Sequence, residues 1–194
     1  SAAPELSYTD TAADDTFAPV TYVATANDAD GDTLTWSIQG NVASLTGTYG
    51  TLSVVGSTFT YAPNDQAIEG LKTGQTAGES FSLRVSDGTA VVQQTLQVSV
   101  SGANDPTIID GNLAGDVIEE IALTVSGQLN AADRDIGDAV VGVQSDSAGN
   151  YGRFGIDANG AWTYTLNNAS ANVQALKAGE VVNDRFTVVT AGGE

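Results

Sequence analysis

Apolar residues recur at every second position in short runs along the whole chain. Tyr22, Ala24 and Ala26 share one face of such a run, and Leu34, Trp36 and Ile38 share another. Leu52 and Val54, then Phe59 and Tyr61, then Phe81, Leu83 and Val85, continue the alternation. A period of two marks a strand with one buried face. The longest run, Val92, Gln94, Leu96, Val98 and Val100, predicts a long final strand in the first half. Turn formers fall between the runs: Asp30-Gly31, Gly56-Ser57, Asp87-Gly88 and Asn159-Gly160, the last a strong hairpin signal. About seven short strands per hundred residues predict an immunoglobulin-like β-sandwich. Only residues 65–72 and 169–177 have room for a helical turn.

The pattern repeats. Tyr49-Gly50 returns as Tyr151-Gly152, an offset of 102, and Phe59-Thr60-Tyr61 as Trp162-Thr163-Tyr164. Leu71-Lys72-Thr73-Gly74 returns as Leu176-Lys177-Ala178-Gly179, and Phe81 as Phe186, both at an offset of 105. A unit of about 100 residues is long enough to own a complete core. Pro4 matches Pro106, so Gly102-Ala103-Asn104-Asp105-Pro106 reads as a linker. The fold class expected is therefore all-β, with two tandem immunoglobulin-like (cadherin-like) β-sandwich domains over residues 1–105 and 106–194. The strand matching Val92–Val100 would follow Gly193, so the second unit is expected to lack its last strand. The chain has no Met, even at position 1, and is expected to be an internal or processed piece.

Composition narrows the chemistry. Six basic residues stand against 24 acidic ones, for a net charge of −18. Such a surface repels nucleic acid and anionic lipid, so neither is expected as a partner. No apolar run approaches the ~18 residues a membrane span needs, so direct membrane insertion is not expected. There is no Cys and no His. Thiolate metal sites, disulfides and the commonest general base are thereby excluded. Oxygen ligands remain, and they suit hard cations such as calcium.

The acidic residues cluster in turns. Asn27-Asp28-Ala29-Asp30-Gly31-Asp32 packs carboxylates around a glycine, as a calcium loop requires. It is not an EF-hand: the twelfth position from Asp28 is Gln39, which cannot give a bidentate carboxylate. In an up-and-down reading of seven strands, Asp28, Asp30, Asp32 and Asp87 lie at one end of the first unit. Asp65 and Glu69 lie at the other end. Asp133, Asp135 and Asp138 occupy the equivalent loop of the second unit, facing Asn104 and Asp105. Carboxylates from three chain segments would then meet at the junction. Asp, Asn and Gly are also ordinary turn formers, which explains any one of these aspartates alone. For the combined cluster the oxygen-only ligand set favours calcium.

These residues also carry a resemblance. The second unit resembles the VCBS-type repeat of large bacterial surface proteins. The carrying residues are Val125-Ser126-Gly127, the Asp133/Asp135/Asp138 loop, Tyr151-Gly152 and Ala161-Trp162-Thr163-Tyr164-Thr165-Leu166, then residues 173–180 and Asp184-Arg185-Phe186-Thr187-Val188. The first unit is a more divergent relative, with a cadherin-like Ala29-Asp30-Gly31-Asp32 loop and an Asn104-Asp105-Pro106 linker. The resemblance implies tandem extracellular modules of secreted adhesins, often of the RTX type. It also implies calcium at cadherin-like junctions, carried here by Asn104, Asp105, Asp133 and Asp135. Two departures stand out: Ala131 replaces Asp28, and Gly192 replaces Asp87.

The expected function is an extracellular spacer or adhesive repeat that serves surface attachment or biofilm formation. Its partners would be calcium ions, neighbouring repeats of the same polypeptide, and a cell-surface glycan or protein. An enzyme is not expected, since no paired carboxylates occupy a strand-end cleft. The alternative is a carbohydrate-binding module using Trp36, Tyr49, Tyr151 and Trp162 as stacking platforms. Trp36 shares a face with Leu34 and Ile38, and Trp162 with Tyr164 and Leu166, which points to core packing instead. Asn168-Ala169-Ser170 matches a glycosylation acceptor, a pattern common by chance.

Overall fold

The computed structural model describes residues 4–193. The chain divides at Asp105/Pro106 into two compact units, each built on β-structure.

Unit 1 is a sandwich of two four-stranded sheets. One sheet has the order β1-β8-β7-β3, from β1 (Glu5–Thr9), β8 (Val91–Ser101), β7 (Thr76–Ser86) and β3 (Thr35–Ile38). The other has the order β2-β6-β5-β4, from β2 (Val20–Val23), β6 (Thr58–Pro63), β5 (Gly50–Val55) and β4 (Ser44–Thr46). The alternation seen in the sequence sets the inner faces. Leu52, Val54, Phe59 and Tyr61 from one sheet meet Ile38, Phe81, Leu83, Leu96, Val98 and Val100 from the other. Each such side chain taken fully out of water contributes roughly 1.5–3 kcal/mol. Trp36 lies edge-on to Phe59 at 6.1 Å and is part of this packing.

Two features differ from the up-and-down reading. The unit has eight strands, because Leu45 anchors a three-residue β4 paired to β5. The first strand also pairs with the last in parallel, from Glu5↔Gln97 to Thr9↔Ser101. Parallel strands require a distant crossover, so no local pattern announces this pairing. After β6 the chain makes one helical turn, α1 (Asp65–Glu69), inside the segment expected to hold one.

Unit 2 contains one five-stranded antiparallel sheet, β11-β12-β13-β10-β9. Its members are β9 (Ile108–Gly111), β10 (Thr124–Ala132), β11 (Gln144–Ala148), β12 (Gly152–Ile156) and β13 (Ala161–Leu166). A short α2 (Ala171–Gln174) follows, capped where the Val173 amide donates to Ser170 Oγ at 3.4 Å. Leu129, Phe154, Ile156 and Trp162 form the core with Val141. Trp162 pairs with Gly127 across β13 and β10, and its indole occupies the space a Cβ on Gly127 would need.

A shared lock explains the repeated Tyr-Gly pairs. In unit 1, Glu79 Oε2 accepts from the amides of Thr48 and Tyr49 at 2.7 and 3.1 Å, and its Oε1 accepts from Tyr61 Oη at 2.8 Å. In unit 2, Asp184 Oδ2 accepts from the Tyr151 and Gly152 amides at 3.0 and 3.1 Å and from Tyr164 Oη at 2.8 Å. Its Oδ1 accepts from the Asn150 amide at 2.8 Å. Burial, followed by the bond to the carboxylate, holds both phenols well above their ordinary pKa. A Cβ on Gly50 would lie 2.4 Å from the Tyr61 ring, and one on Gly152 would lie 2.5 Å from the Tyr164 hydroxyl. The glycines are therefore required by the tyrosines.

Candidate functional site

The parallel β1–β8 pairing carries the end of the first strand to the end of the last. Asp10, immediately after β1, donates its amide to Ser101 O at 2.9 Å. Its Oδ2 accepts from the Ala103 amide at 3.0 Å, which ties the start of the linker to β1. The β1–β2 loop then folds over α1. The Phe17 amide donates to Asp65 Oδ1 at 3.2 Å, and the Asp15 amide to Glu69 Oε1 at 3.1 Å. Asp15 in turn accepts from the Thr11 amide at 2.7 Å.

These contacts converge three carboxylates. One oxygen each from Asp10, Asp15 and Glu69 lies within 4.8 Å of the others, the sole such grouping among the described residues. Asp10 is 3 % exposed and Glu69 4 %, and Asp10 Oδ1 is buried with no hydrogen-bond partner. Asp105, 2 % exposed, adds its charge to the field on Glu69. Burial, then the Asp10 carboxyl alongside it, pushes Glu69 up to about 7 against a usual value near 4.5. Two buried carboxyls face one another, and only a proton or a cation reconciles them. An all-oxygen set with converging negative charge is the donor chemistry of calcium.

The structure places the residues expected from sequence in different settings. Asp105 lies beside Glu69, and Asn104 is exposed with its Nδ2 on Asp105 O at 3.0 Å. In the Asp28 loop, Asp28 Oδ1 accepts from the amides of Asp30 and Asp32 at 2.9 and 3.0 Å, and Asp30 and Asp32 are exposed. Asp87 accepts from the Ala90 and Thr89 amides at 2.6 and 2.7 Å, which lowers its pKa in that order of importance. In both places the carboxylates close turns, and they do not join the grouping of three. In unit 2, Asp133 Oδ1 accepts from the Asp135 amide at 2.8 Å and its Oδ2 from Thr107 Oγ1, which also contacts Thr190 Oγ1 at 3.2 Å. Asp135 and Asp138 are buried at 1 % and 5 % exposure.

Sequence reasoning placed Glu69 near the linker but passed over Asp10 and Asp15. The signal that finds them is topological: in a sandwich whose edge strand pairs parallel with its last, an acid after the first strand lands beside the linker. At the position equivalent to Glu69, unit 2 carries Gln174, whose Nε2 donates to Glu119 Oε1 at 2.8 Å. The aromatic residues are engaged elsewhere. Trp162 is 7 % exposed and donates to Asn112 O at 2.8 Å, and the backbone amides of Tyr49 and Tyr151 belong to the lock described above.

A two-sheet sandwich with acids gathered at its exit defines an immunoglobulin-like β-sandwich unit. The comparisons agree: the bacterial Ig domain family matches residues 2–100, and the chain belongs to that family. Domains of this kind are typically structural or adhesive, and often lie at the cell surface or outside it. Solved structures similar to the chain include two forms of human protocadherin-24 EC1-2. Form II matches at 18 % identity with a TM-score of 0.31, covering 77 % of this chain and 70 % of that one. The other matches at 19 % identity with a TM-score of 0.30, covering 96 % and 89 %. No curated protein matches the chain. Among the described residues, no helix is long and apolar enough to cross a membrane.

Proposed function

We propose that the chain is an extracellular spacer or adhesive repeat of a large bacterial surface protein, without catalytic activity, and that unit 1 binds calcium through Asp10, Asp15 and Glu69, with Asp105 adjacent. The observation that carries this reading is the convergence of three carboxylate oxygens within 4.8 Å, two of the residues being buried and one buried oxygen lacking a hydrogen-bond partner. A fold gains nothing from burying such a group without a counter-charge. Calcium would let Glu69 ionise beside Asp10. Because Asp10 also holds the Ala103 amide, the ion would fix the linker where it leaves β8. The VCBS-like and RTX-type affiliation, a role in surface attachment or biofilm formation, and a second cation position at Asp133, Asp135 and Asp138 in unit 2 belong to the same proposal.

The test is thermal melting in chelator and in millimolar calcium, with magnesium as a control. A rise in the melting temperature of unit 1 with calcium supports the reading. An unchanged melt makes the cluster a strained but inert feature. The glycan-binding alternative draws no support from the packing of Trp36 and Trp162 described above.

A further inference from the structure

Charge is spread unevenly over unit 1. Its acids lie in loops, in α1, in the linker, or on β1 and β7. The four strands of the other sheet, β2, β4, β5 and β6, hold no charged residue. Leu52, Val54, Phe59 and Tyr61 turn into the core, so the alternate positions make the outer face. The register sets Thr21, Thr60, Ser53 and Ser44 in one row across that face. Val23, Thr58 and Val55 form the next row, with Val23 and Val55 at 62 % and 82 % exposure. Ala62, Thr51 and Thr46 form the row on the other side, the two threonine hydroxyls lying 3.1 Å apart. Strand propensity accounts for threonine and valine here, but not for the absence of charge. Solvated strands ordinarily carry charges that keep sheets from sticking together, and the partner sheet does carry Glu5 and Arg84.

The internal repeat supplies a comparison. The equivalent sheet of unit 2 keeps hydroxyls in register, Thr124↔Thr165 and Ser126↔Thr163. It also carries charge: Arg153 pairs with Asp146 at 2.7 Å, and Asp110 accepts from Asn130 Nδ2 at 2.9 Å. The charge-free face thus belongs to unit 1. Its chemistry narrows the occupant. Trp36, Phe59 and Tyr61 pack inside the sandwich, so no aromatic ring on this face offers a sugar a stacking platform. Without a cation the face does not draw anionic lipid, and without an acid it does not draw a basic protein. An uncharged surface of hydroxyls and methyls is matched by another of its kind, and every copy of the chain presents one. Elsewhere two copies bring acid against acid, since each carries a net charge of −18.

We infer that the chain self-associates through unit 1, two copies meeting face to face on the outer side of the sheet β2-β6-β5-β4. The contact is twofold, with the same patch on both copies. An axis through the central pair Thr60↔Ser53 lays the Val23–Thr58–Val55 row of one copy over the Ala62–Thr51–Thr46 row of the other. Exposed valine methyls then meet an alanine and threonine methyls across a gap of about 10 Å between sheets. Four strands at about 4.8 Å spacing and six residues at about 3.4 Å rise give roughly 400 Å² per copy. A total near 800 Å² is the size of a weak, reversible contact. Chains lying side by side would multiply it, because each further contact is made at high local concentration. The inference stands apart from the calcium reading and is tested without the ion.

Sedimentation equilibrium of the whole chain in chelator, at protein concentrations up to about 1 mM, reads a contact of this strength. The average mass should rise from monomer toward dimer with concentration. The rise should be steeper in high salt, where the repulsion between two acidic chains is screened. Val55→Glu places a carboxylate on the face at a site exposed enough for the fold to ignore it, and should weaken association roughly tenfold or more. Thr60→Glu repeats the test at the centre of the patch. Thr95→Glu adds the same charge to an exposed position of the partner sheet and should change association less than about twofold. Amide shifts in the NMR spectrum should move with concentration at Ser53, Thr58 and Thr60. A monomer at every concentration in high salt overturns the inference. So does equal weakening by Val55→Glu and Thr95→Glu, undiminished association of Val55→Glu, or shift changes confined to unit 2.

Discussion

Replacing Glu69 by glutamine should stabilise unit 1 without calcium and lose most of that advantage with it. Without the ion, Glu69 is held up to about 7 by its burial and then by the Asp10 carboxyl beside it. A carboxyl whose folded pKa is raised binds its proton more tightly in the folded state. Stability is therefore fully present below the unfolded value near 4.5, falls as pH rises toward 7, and is flat above. At pH 8 the wild-type unit 1 carries that whole penalty. One pKa unit is worth about 1.4 kcal/mol, so the rise from 4.5 to about 7 bounds the penalty near 3 kcal/mol, of which about 2 kcal/mol is at stake once the surroundings relax. Glutamine keeps the acceptor used by the Asp15 amide and brings an Nε2 that can donate to Asp10 Oδ1. Glu69→Gln in chelator at pH 8 should thus stabilise unit 1 by about 2 kcal/mol, or roughly 8–16 °C for a domain near 100 residues. In calcium at tenfold its dissociation constant the wild type gains about 1.4 kcal/mol, whereas the variant should gain almost none. Extracellular modules bind at about 10⁻⁴–10⁻³ M, so 10 mM calcium suffices. Differential scanning calorimetry of both proteins under both conditions reads how far calcium narrows the gap. A variant less stable than wild type in chelator, or one that keeps its calcium gain, refutes the reasoning.

Three further outcomes follow from the same geometry. Calcium added at pH 7 in weak buffer should release about half a proton per ion, because Glu69 titrates there, and affinity should fall from pH 8 to pH 6; an indicator-dye titration measures both. Asp184→Ala strips the shared acceptor from three amides and the Tyr164 hydroxyl and should cost unit 2 about 3 kcal/mol, lowering its urea midpoint while leaving that of unit 1 unchanged. Gly50→Ala drives a Cβ to 2.4 Å from the Tyr61 ring and 2.7 Å from the Ala62 carbonyl, and should cost unit 1 about 2–3 kcal/mol; the companion change Tyr61→Ala should recover less than it loses, since Tyr61 is itself core.

Most strands of unit 1 were legible because alternation is a local property. Leu52, Val54, Phe59, Tyr61, Phe81 and Leu83 are buried as their spacing requires, and the helical turn falls within residues 65–72. β4 escaped because three residues around one leucine offer no period to count. Asp10 and Asp15 escaped for a different reason. Their partner Glu69 is more than fifty residues away, and the contact depends on a parallel pairing that is a property of topology. The Asp28 and Asp87 turns look the more chemical in sequence, yet Asp28 Oδ1 and Asp87 Oδ1 each accept two neighbouring amides. A dense acidic motif satisfies itself locally, whereas scattered acids can be brought together unsatisfied.

The parallel ladder between β1 and β8 also decides how unit 1 answers a pulling force. β1 is entered at Glu5 and β8 is left at Ser101, and these residues sit at opposite ends of one five-pair ladder. Tension applied through the flanking chain therefore slides the two strands past each other along their length. All the ladder's bonds are loaded together, where a hairpin pulled from its open end would give them up one at a time. A load-bearing tether gains from that arrangement, and the Asp10 side chain pins the ladder at the end where the force leaves the unit.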